Sequence, residues 1–464
     1  MRTSIRVCSL IAVGAAAAST LAASVGAENP DPNLLAFENA SGQLRTFNER
    51  GAIDRTNPFF QDLGTNGRQC ATCHQPAAAW SITPDNVRER FVATAGTDPI
   101  FRSNDGSNCE GIDAIDGDQA AAYSLLLSKG LIRVGIDVPA DAEFQVLSVD
   151  DPYACGSLLQ RVSMYRRPLP STNLRFLSAV MWDGRESSAT TTVLEDLAQQ
   201  ANAATRGHAQ AARDLTPQER QQIVAFEAGL FTAQGLDHDA GTLSAQGAGG
   251  GPLRLSQEPF FIGVNDPVGM NPTGAAFTSN AFTLFDGWSR LKSADRDPLT
   301  ELRRAIARGQ EIFNTHTFMI EGVNGLNGET FPSGVRVPES FSGTCTVCHD
   351  SPNVGNHSVK APLDIGLTSA SRRSSDLPLY TLINLATGQT IETTDPGRAM
   401  ITGKWRDIGK FKGPILRALA ARAPYFHNGS AAALEDVVDF YNERFSMQLT
   451  PQERADLVAF LRAL

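Results

Sequence analysis

The chain has 464 residues, enough for two or three domains. Its 50 acidic and 40 basic residues leave a formal charge of −10, so the basic footprint of a nucleic-acid binder is missing. Apolar residues make up 42%, an ordinary share for a globular protein with a buried core.

In chain order, the first element is a positive start at Arg2 and Arg6, followed by an Ala-rich apolar run to about Ala23. Val25-Gly26-Ala27 has the small-x-small form of a signal-peptidase site, so residues 1–27 are expected to be a secretory signal cleaved after Ala27, or after Ala23. The alternative is a membrane anchor, for which the run falls short of the roughly 20 residues a spanning helix needs. The mature chain is then expected in a bacterial periplasm, with no span left after cleavage.

Cys70-Ala71-Thr72-Cys73-His74 follows, and Cys345-Thr346-Val347-Cys348-His349 repeats the pattern far downstream. C-x-x-C-H is the attachment pattern of c-type haem. Its two thiols add to the vinyl groups of one porphyrin, and the next imidazole reaches the iron. Two such motifs predict two covalently bound haems, with His74 and His349 as proximal iron ligands. Of the seven cysteines, Cys8 lies in the signal, which leaves Cys109 and Cys155. In an oxidising compartment these pair most simply as a disulfide, worth roughly 3–4 kcal/mol in the chain-entropy model. Buried free thiols are the other possibility.

Strand signals are few, with a possible short hairpin near Phe144 to Val149. Leu215 to Phe226 (LTPQERQQIVAF) and Leu449 to Phe460 (LTPQERADLVAF) share nine of twelve residues. Each predicts a helix with Thr216 or Thr450 as N-cap, Pro217 or Pro451 first, and Glu219 or Glu453 closing a capping box. The repeat extends upstream. Leu174-Arg175 answers Leu416-Arg417, and Met181-Trp182-Asp183-Gly184 answers Phe426-His427-Asn428-Gly429. Leu194-Glu195-Asp196 answers Leu434-Glu435-Asp436 in the same way. The expected fold is therefore all-α: two cytochrome c-like haem domains packed face to face, with Gly-rich insertions. Residues 28–233 are expected to form the first domain, 234–296 a linker with some ordered loop, and 297–464 the second. The second domain opens with a helix from Leu299 to Phe313, and the Gly- and Ser-rich stretch Val323 to Gly343 is expected to wrap its haem.

As an ordered set, these motifs resemble the di-haem cytochrome c peroxidase family and its MauG branch. The set comprises both haem motifs, Trp182-Asp183-Gly184-Arg185, Phe411-Lys412-Gly413-Pro414, Ala423 to Gly429 and Leu434 to Tyr441. Ser81 to Leu169 and the linker lie outside the resemblance. It implies a peroxidase that reduces hydrogen peroxide at the N-terminal haem, with the C-terminal haem relaying or storing electrons and Trp182 between them. The family's blocking histidine after the first motif is missing, because none occurs between His74 and His208. The family's acid–base glutamate is missing too, and Gln200 and His208 stand in its region. His208 is expected either to move protons, to cap the iron, or to lie on a surface loop.

At the second haem, the resemblance implies Tyr441 as iron ligand where many members have methionine. Met400 is the alternative, and His316 and His357 are weaker ones. His427 is expected to pack between the domains. The family's interfacial calcium would draw on the carbonyls of Arg422 and Pro424, with Asn173 opposite, but Arg167 stands where its asparagine is expected. The implied electron donor is a small cytochrome c or a cupredoxin. Two further readings remain: a non-enzymatic di-haem electron carrier, and a MauG-like oxidant of a partner protein.

Overall fold

The computed structural model describes residues 33–156, 159–268, 271–292 and 298–464. The expected signal, residues 1–27, and the expected boundary between residues 296 and 297 lie outside the described residues. Six helices exceed ten residues: α1 (Pro84–Thr94), α2 (Val193–Gly207), α3 (Pro217–Ala228), α4 (Pro298–Thr315), α5 (Leu434–Arg444) and α6 (Pro451–Arg462).

The all-α expectation is overturned. Eleven described strands form four sheets: β1 (Leu34–Asn39), β2 (Gly42–Asn48), β3 (Ile132–Asp137), β4 (Phe144–Asp150), β5 (Arg161–Arg166), β6 (Leu230–Asp237), β7 (Gly241–Thr242), β8 (Phe318–Glu321), β9 (Ser340–Gly343), β10 (Leu379–Asn384) and β11 (Thr390–Thr393). The first sheet, ordered β1-β2-β6-β7, is antiparallel throughout. Along β2, Leu44, Thr46 and Asn48 point inward at period two. The predicted strand at Phe144 exists, but not as a local hairpin. β4 pairs with β10, setting Leu379 opposite Asp150, and β10 pairs in turn with β11. Such long-range pairing leaves no turn signal near either strand, so a local reading misses it.

The repeated helix starts form as their residues dictate. Thr216 Oγ1 accepts from the Glu219 amide at 3.2 Å, and Glu219 returns a bond to the Thr216 amide at 2.7 Å. Thr450 and Glu453 do the same at 3.3 and 2.8 Å. α3 and α6 thus begin with identical capping boxes. α6 lies against α4 at Gly309, where an added Cβ would come within 2.0 Å of the Asp456 carbonyl oxygen, so only glycine permits that approach. Around this contact Phe282, Phe313 and Phe460 meet edge-on with centroids 5.2–5.7 Å apart. The stretch 234–292 supplies Leu243, Phe282, Phe285 and Trp288 to the same core.

Cys109 and Cys155 form a disulfide, while Cys70, Cys73, Cys345 and Cys348 stay unpaired. Among the described residues no helix is long and apolar enough to cross a membrane.

Candidate active site: two cavities with a shared wall

Both C-x-x-C-H motifs fold as a single 3₁₀ turn, Cys70–Thr72 and Cys345–Val347, which turns two thiols and the following imidazole toward one cavity. The enclosed volumes are about 180 and 230 Å³. His74 Nδ1 donates to the Trp80 carbonyl at 2.9 Å, and His349 Nδ1 to the Gly355 carbonyl at 2.6 Å. In each case the acceptor lies six residues on and leaves Nε2 for a metal, as in orienting contacts around metal-bound histidine. Burial pushes both imidazoles down to about 4, so they stay neutral and able to ligate. Free thiol pairs and oriented neutral imidazoles facing one cavity fit haem c.

The first cavity gathers several polar groups. α2 is started by Thr192, whose hydroxyl accepts from the Glu195 amide. Leu197, Gln200, Ala201, Ala204 and Thr205 recur on one face of α2 and line the cavity, with His208 at the helix end. His208 Nδ1 contacts Asp105 Oδ2, and Asp105 Oδ1 contacts Arg68 Nη1. Asp105 and Arg68 are buried, and both line the cavity. Burial works against the Asp105 charge, but His208 and Arg68 hold its carboxyl below the usual range. The His208 backbone is also fixed, since Asn66 donates to its carbonyl at 2.8 Å. Next to it, Gly64 packs where a Cβ would come within 1.8 Å of the Ala209 carbonyl oxygen. On the other side of the motif, Ser171 Oγ lies 3.0 Å from His74 Nδ1 and hydrogen-bonds to Glu227. Burial pushes the Glu227 carboxyl up to about 7.

A common wall separates the cavities. Arg167, Pro168, Pro170, Trp182, Lys412 and Arg422 are among the residues that line both. Trp182 Nε1 donates to the Arg167 carbonyl at 2.8 Å, and the Trp182 carbonyl accepts from the Lys412 amide at 2.9 Å. The turn behind it is locked by charge. Arg166 bridges Asp183 at 2.5 Å and Asp395 at 2.7 Å, all three being buried. Burial opposes the Asp183 charge, yet Arg166 and Arg185 keep its carboxyl at about 2. The His427 ring stacks on Phe411 at 4.1 Å and meets Trp182 edge-on at 6.1 Å. Lys412 Nζ donates to the Ala179 carbonyl, and burial pushes its amine down to about 7.

Tyr441 lines the second cavity beside Cys345 and Cys348, and burial pushes its phenol up. Met400 packs elsewhere, with Phe144, Tyr380, Leu382 and Ile408. His316 and His357 do not line the cavity either, and His316 Nε2 lies 2.9 Å from the Met447 carbonyl. Met447 does line it. Sequence reasoning missed Met447, Asp105, Arg68, Lys412 and Glu227. Met447 lies beyond α5 in an irregular stretch, and Asp105 sits on a loop with no periodicity to mark it.

The residues do not fit calcium at the shared wall. Arg167 spans that place with its own charge, donating to the carbonyls of Ile82 at 2.7 Å, Lys129 at 2.8 Å and Arg422 at 3.0 Å. Asn173 is turned away, bonded to Thr232 of β6 through both its amide and its carbonyl group.

No family model matches the chain. Cytochrome-c peroxidase IdrP1 of Pseudomonas sp. (strain SCT) is 27% identical over 200 residues, 38% of this chain and 50% of that protein. Cytochrome c551 peroxidase of Nitrosomonas europaea is 30% identical over 128 residues, 27% of this chain and 31% of that protein. The chain thus spans about half or less of the curated relatives it matches. A solved MauG-like protein associated with microbial copper homeostasis aligns over 88% of this chain and 86% of its own, at 15% identity and a TM-score of 0.39. With its two C-x-x-C-H cavities, the chain is similar over these stretches to proteins named as cytochrome c peroxidases.

Proposed function

We propose that the protein is a peroxidase that reduces hydrogen peroxide in the first cavity, and that two haem units, residues 28–233 and 297–464, divide the work. The observation that carries this is the Arg68–Asp105–His208 chain on the wall of the His74 cavity. Haem c attached at Cys70 and Cys73, and again at Cys345 and Cys348, supplies the redox chemistry. Two electrons and two protons turn one peroxide into two waters. Asp105 accepts the Nδ1 proton of His208, which leaves Nε2 free to take a proton from one peroxide oxygen and return it to the other. Gln200, on the cavity-lining face of α2, is the amide that orients the peroxide. Trp182, on the wall common to both cavities, is the route by which they communicate.

Tyr441 is the proposed second ligand of the C-terminal iron, whose positive charge would draw the proton from a phenol that burial otherwise keeps neutral. The electrons come from a small cytochrome c or a cupredoxin. The Cys109–Cys155 disulfide and the covalent haem motifs support a periplasmic location. A MauG-like oxidation of a partner protein is the second reading, favoured by Tyr441 in place of methionine.

The test is an EPR spectrum of the oxidised, fully haem-loaded protein before and after one equivalent of peroxide, paired with peroxide turnover using reduced cytochrome c. A high-spin ferric signal lost on adding peroxide, with turnover, is expected. Two low-spin signals indifferent to peroxide, without turnover, would leave the electron-carrier reading instead.

A further inference from the structure

Outside both cavities, Asp266, Asp350 and His357 converge. One ligand atom from each lies within 4.8 Å of the others. All three side chains are buried, at 3%, 0% and 2% exposure. Neither ring nitrogen of His357 has a partner within hydrogen-bonding geometry in the described structure, the Ala361 backbone being the group that approaches the ring. A buried imidazole with both nitrogens unsatisfied is costly, on the order of 1–3 kcal/mol per orphaned group. Burying the Asp350 carboxylate without a paired cation is costly as well. Among the described residues no lysine or arginine forms an ion pair with Asp350.

The cluster is held from three sides. Ser358 donates to both Asp350 oxygens, from its amide at 2.7 Å and its hydroxyl at 2.8 Å. Asn265, next to Asp266, donates to the Asp350 carbonyl at 3.2 Å, and the Val268 amide donates to Asp266 Oδ1 at 3.1 Å. The His357 carbonyl accepts from Ser178 at 2.7 Å. These contacts orient the carboxylates and the ring, as the outer partners of a metal site do.

We propose that Asp266, Asp350 and His357 bind one divalent first-row transition metal ion, of the zinc, manganese or iron(II) class. Two carboxylates and a neutral imidazole balance a double positive charge. The mixed nitrogen and oxygen set suits these ions, whereas calcium takes oxygen ligands. The ion pins residue 266 to the loop 350–357, whose Gly355 carbonyl orients His349. Its role is structural support of the second haem peptide, and it stands apart from peroxide chemistry.

The test is elemental analysis of the haem-loaded protein, with haem counted separately so that haem iron can be subtracted. About one non-haem metal per chain is expected, lost in Asp266→Asn and His357→Ala while haem content holds. In case those variants fold poorly, the wild-type protein is stripped with a chelator and its thermal midpoint is followed as zinc or manganese is returned. A midpoint that falls on stripping and recovers at one equivalent supports the site, because a ligand bound only by the native state stabilises it. Substoichiometric metal with a midpoint indifferent to chelator and ion would overturn the proposal, as would non-haem metal retained equally in both variants.

Discussion

Replacing Asp105 with asparagine tests the proton-moving role of His208 at its most specific point. Asp105 takes two donors at once, Arg68 Nη1 through one oxygen and His208 Nδ1 through the other. Asparagine has nearly the same shape but offers one acceptor and one donor. The buried guanidinium claims the acceptor. The new NH₂ then faces His208 and pulls the ring into the tautomer that carries its proton on Nε2, the nitrogen meant to receive one. Acid–base transfer of this kind contributes roughly 10²–10⁴-fold, about 3–5 kcal/mol of barrier. The second-order rate of peroxide consumption, followed by stopped flow, is therefore expected to fall by about 10²–10⁴-fold in Asp105→Asn. Stability falls as well, because the Arg68 charge loses its buried counter-ion, so haem content and thermal midpoint are measured alongside. A cycle with His208→Ala separates the two effects. If Asp105 acts through His208, adding Asp105→Asn to His208→Ala costs no further rate. A rate within about threefold of wild type in Asp105→Asn, or full additivity in the double variant, would refute the reasoning.

Four further outcomes are expected. Burial holds the Glu227 proton to about pH 7 against an ordinary 4.5, so stability tied to this group is full below about pH 4.5 and declines as the pH rises to 7. The bound on that loss is about 3 kcal/mol. Glu227→Gln should flatten the slope in denaturant unfolding at pH 5 and 8, and an unchanged slope would reject the assignment. Tyr441→Met should raise the reduction potential of the second haem, while Met447→Leu should leave it in place; the reverse pattern would transfer the ligand role to Met447. Adding calcium to protein kept in calcium-free, chelator-free buffer should change neither thermal midpoint nor peroxide turnover, because Arg167 supplies the charge at the shared wall, whereas Arg167→Ala should lose about 3–5 kcal/mol in an unfolding titration. Gly309→Ala should destabilise by about 1–3 kcal/mol, since its methyl group meets the Asp456 backbone, and a thermal midpoint at the wild-type value would count against the tight α4–α6 contact.

What could be read in the sequence was what depends on neighbours in the chain. The C-x-x-C-H turns, the two Thr-Pro-x-Glu capping boxes and the helix at Leu299 are local signals, and each forms where its residues stand. Gln200 and His208 were picked because they stand in the region of the family's acid–base glutamate, and α2 sets both on the wall of the first cavity. The assembly of the sheets could not be found that way. The β1–β2 and β10–β11 hairpins are local, but β2 pairs with β6 and β4 with β10 between distant parts of the chain, so neither of those pairs has a turn to announce it. Asp105 is the sharper omission. It lies in the stretch from Ser81 to Leu169 that resembles no known motif, and only folding brings it to His208, which follows it by 103 residues. Met400 shows the converse error: a methionine at a plausible chain distance that belongs to the β4–β10 core.

The two cavities share a motif and a wall, and their remaining linings explain why their tasks should differ. Around the first stand Arg68, Asp105, Gln200, His208 and Glu227, which are donors, acceptors and titratable groups able to follow a proton. The second has no carboxylate among its described lining residues, and is walled instead by Phe313, Phe318, Val438, Phe445 and Leu461 around Tyr441. Under the proposed peroxidase reading, breaking an oxygen–oxygen bond requires proton movement as well as electrons, and the carboxylates that favour it line the first cavity alone among the described residues. Holding an electron vacancy requires the opposite: a dry pocket of low dielectric, in which few polar groups need to reorganise when charge changes. Arg167 and Lys412 stand between the two, lining both cavities. Backbone carbonyls hold both side chains in place, the Arg422 carbonyl for Arg167 and the Ala179 carbonyl for Lys412.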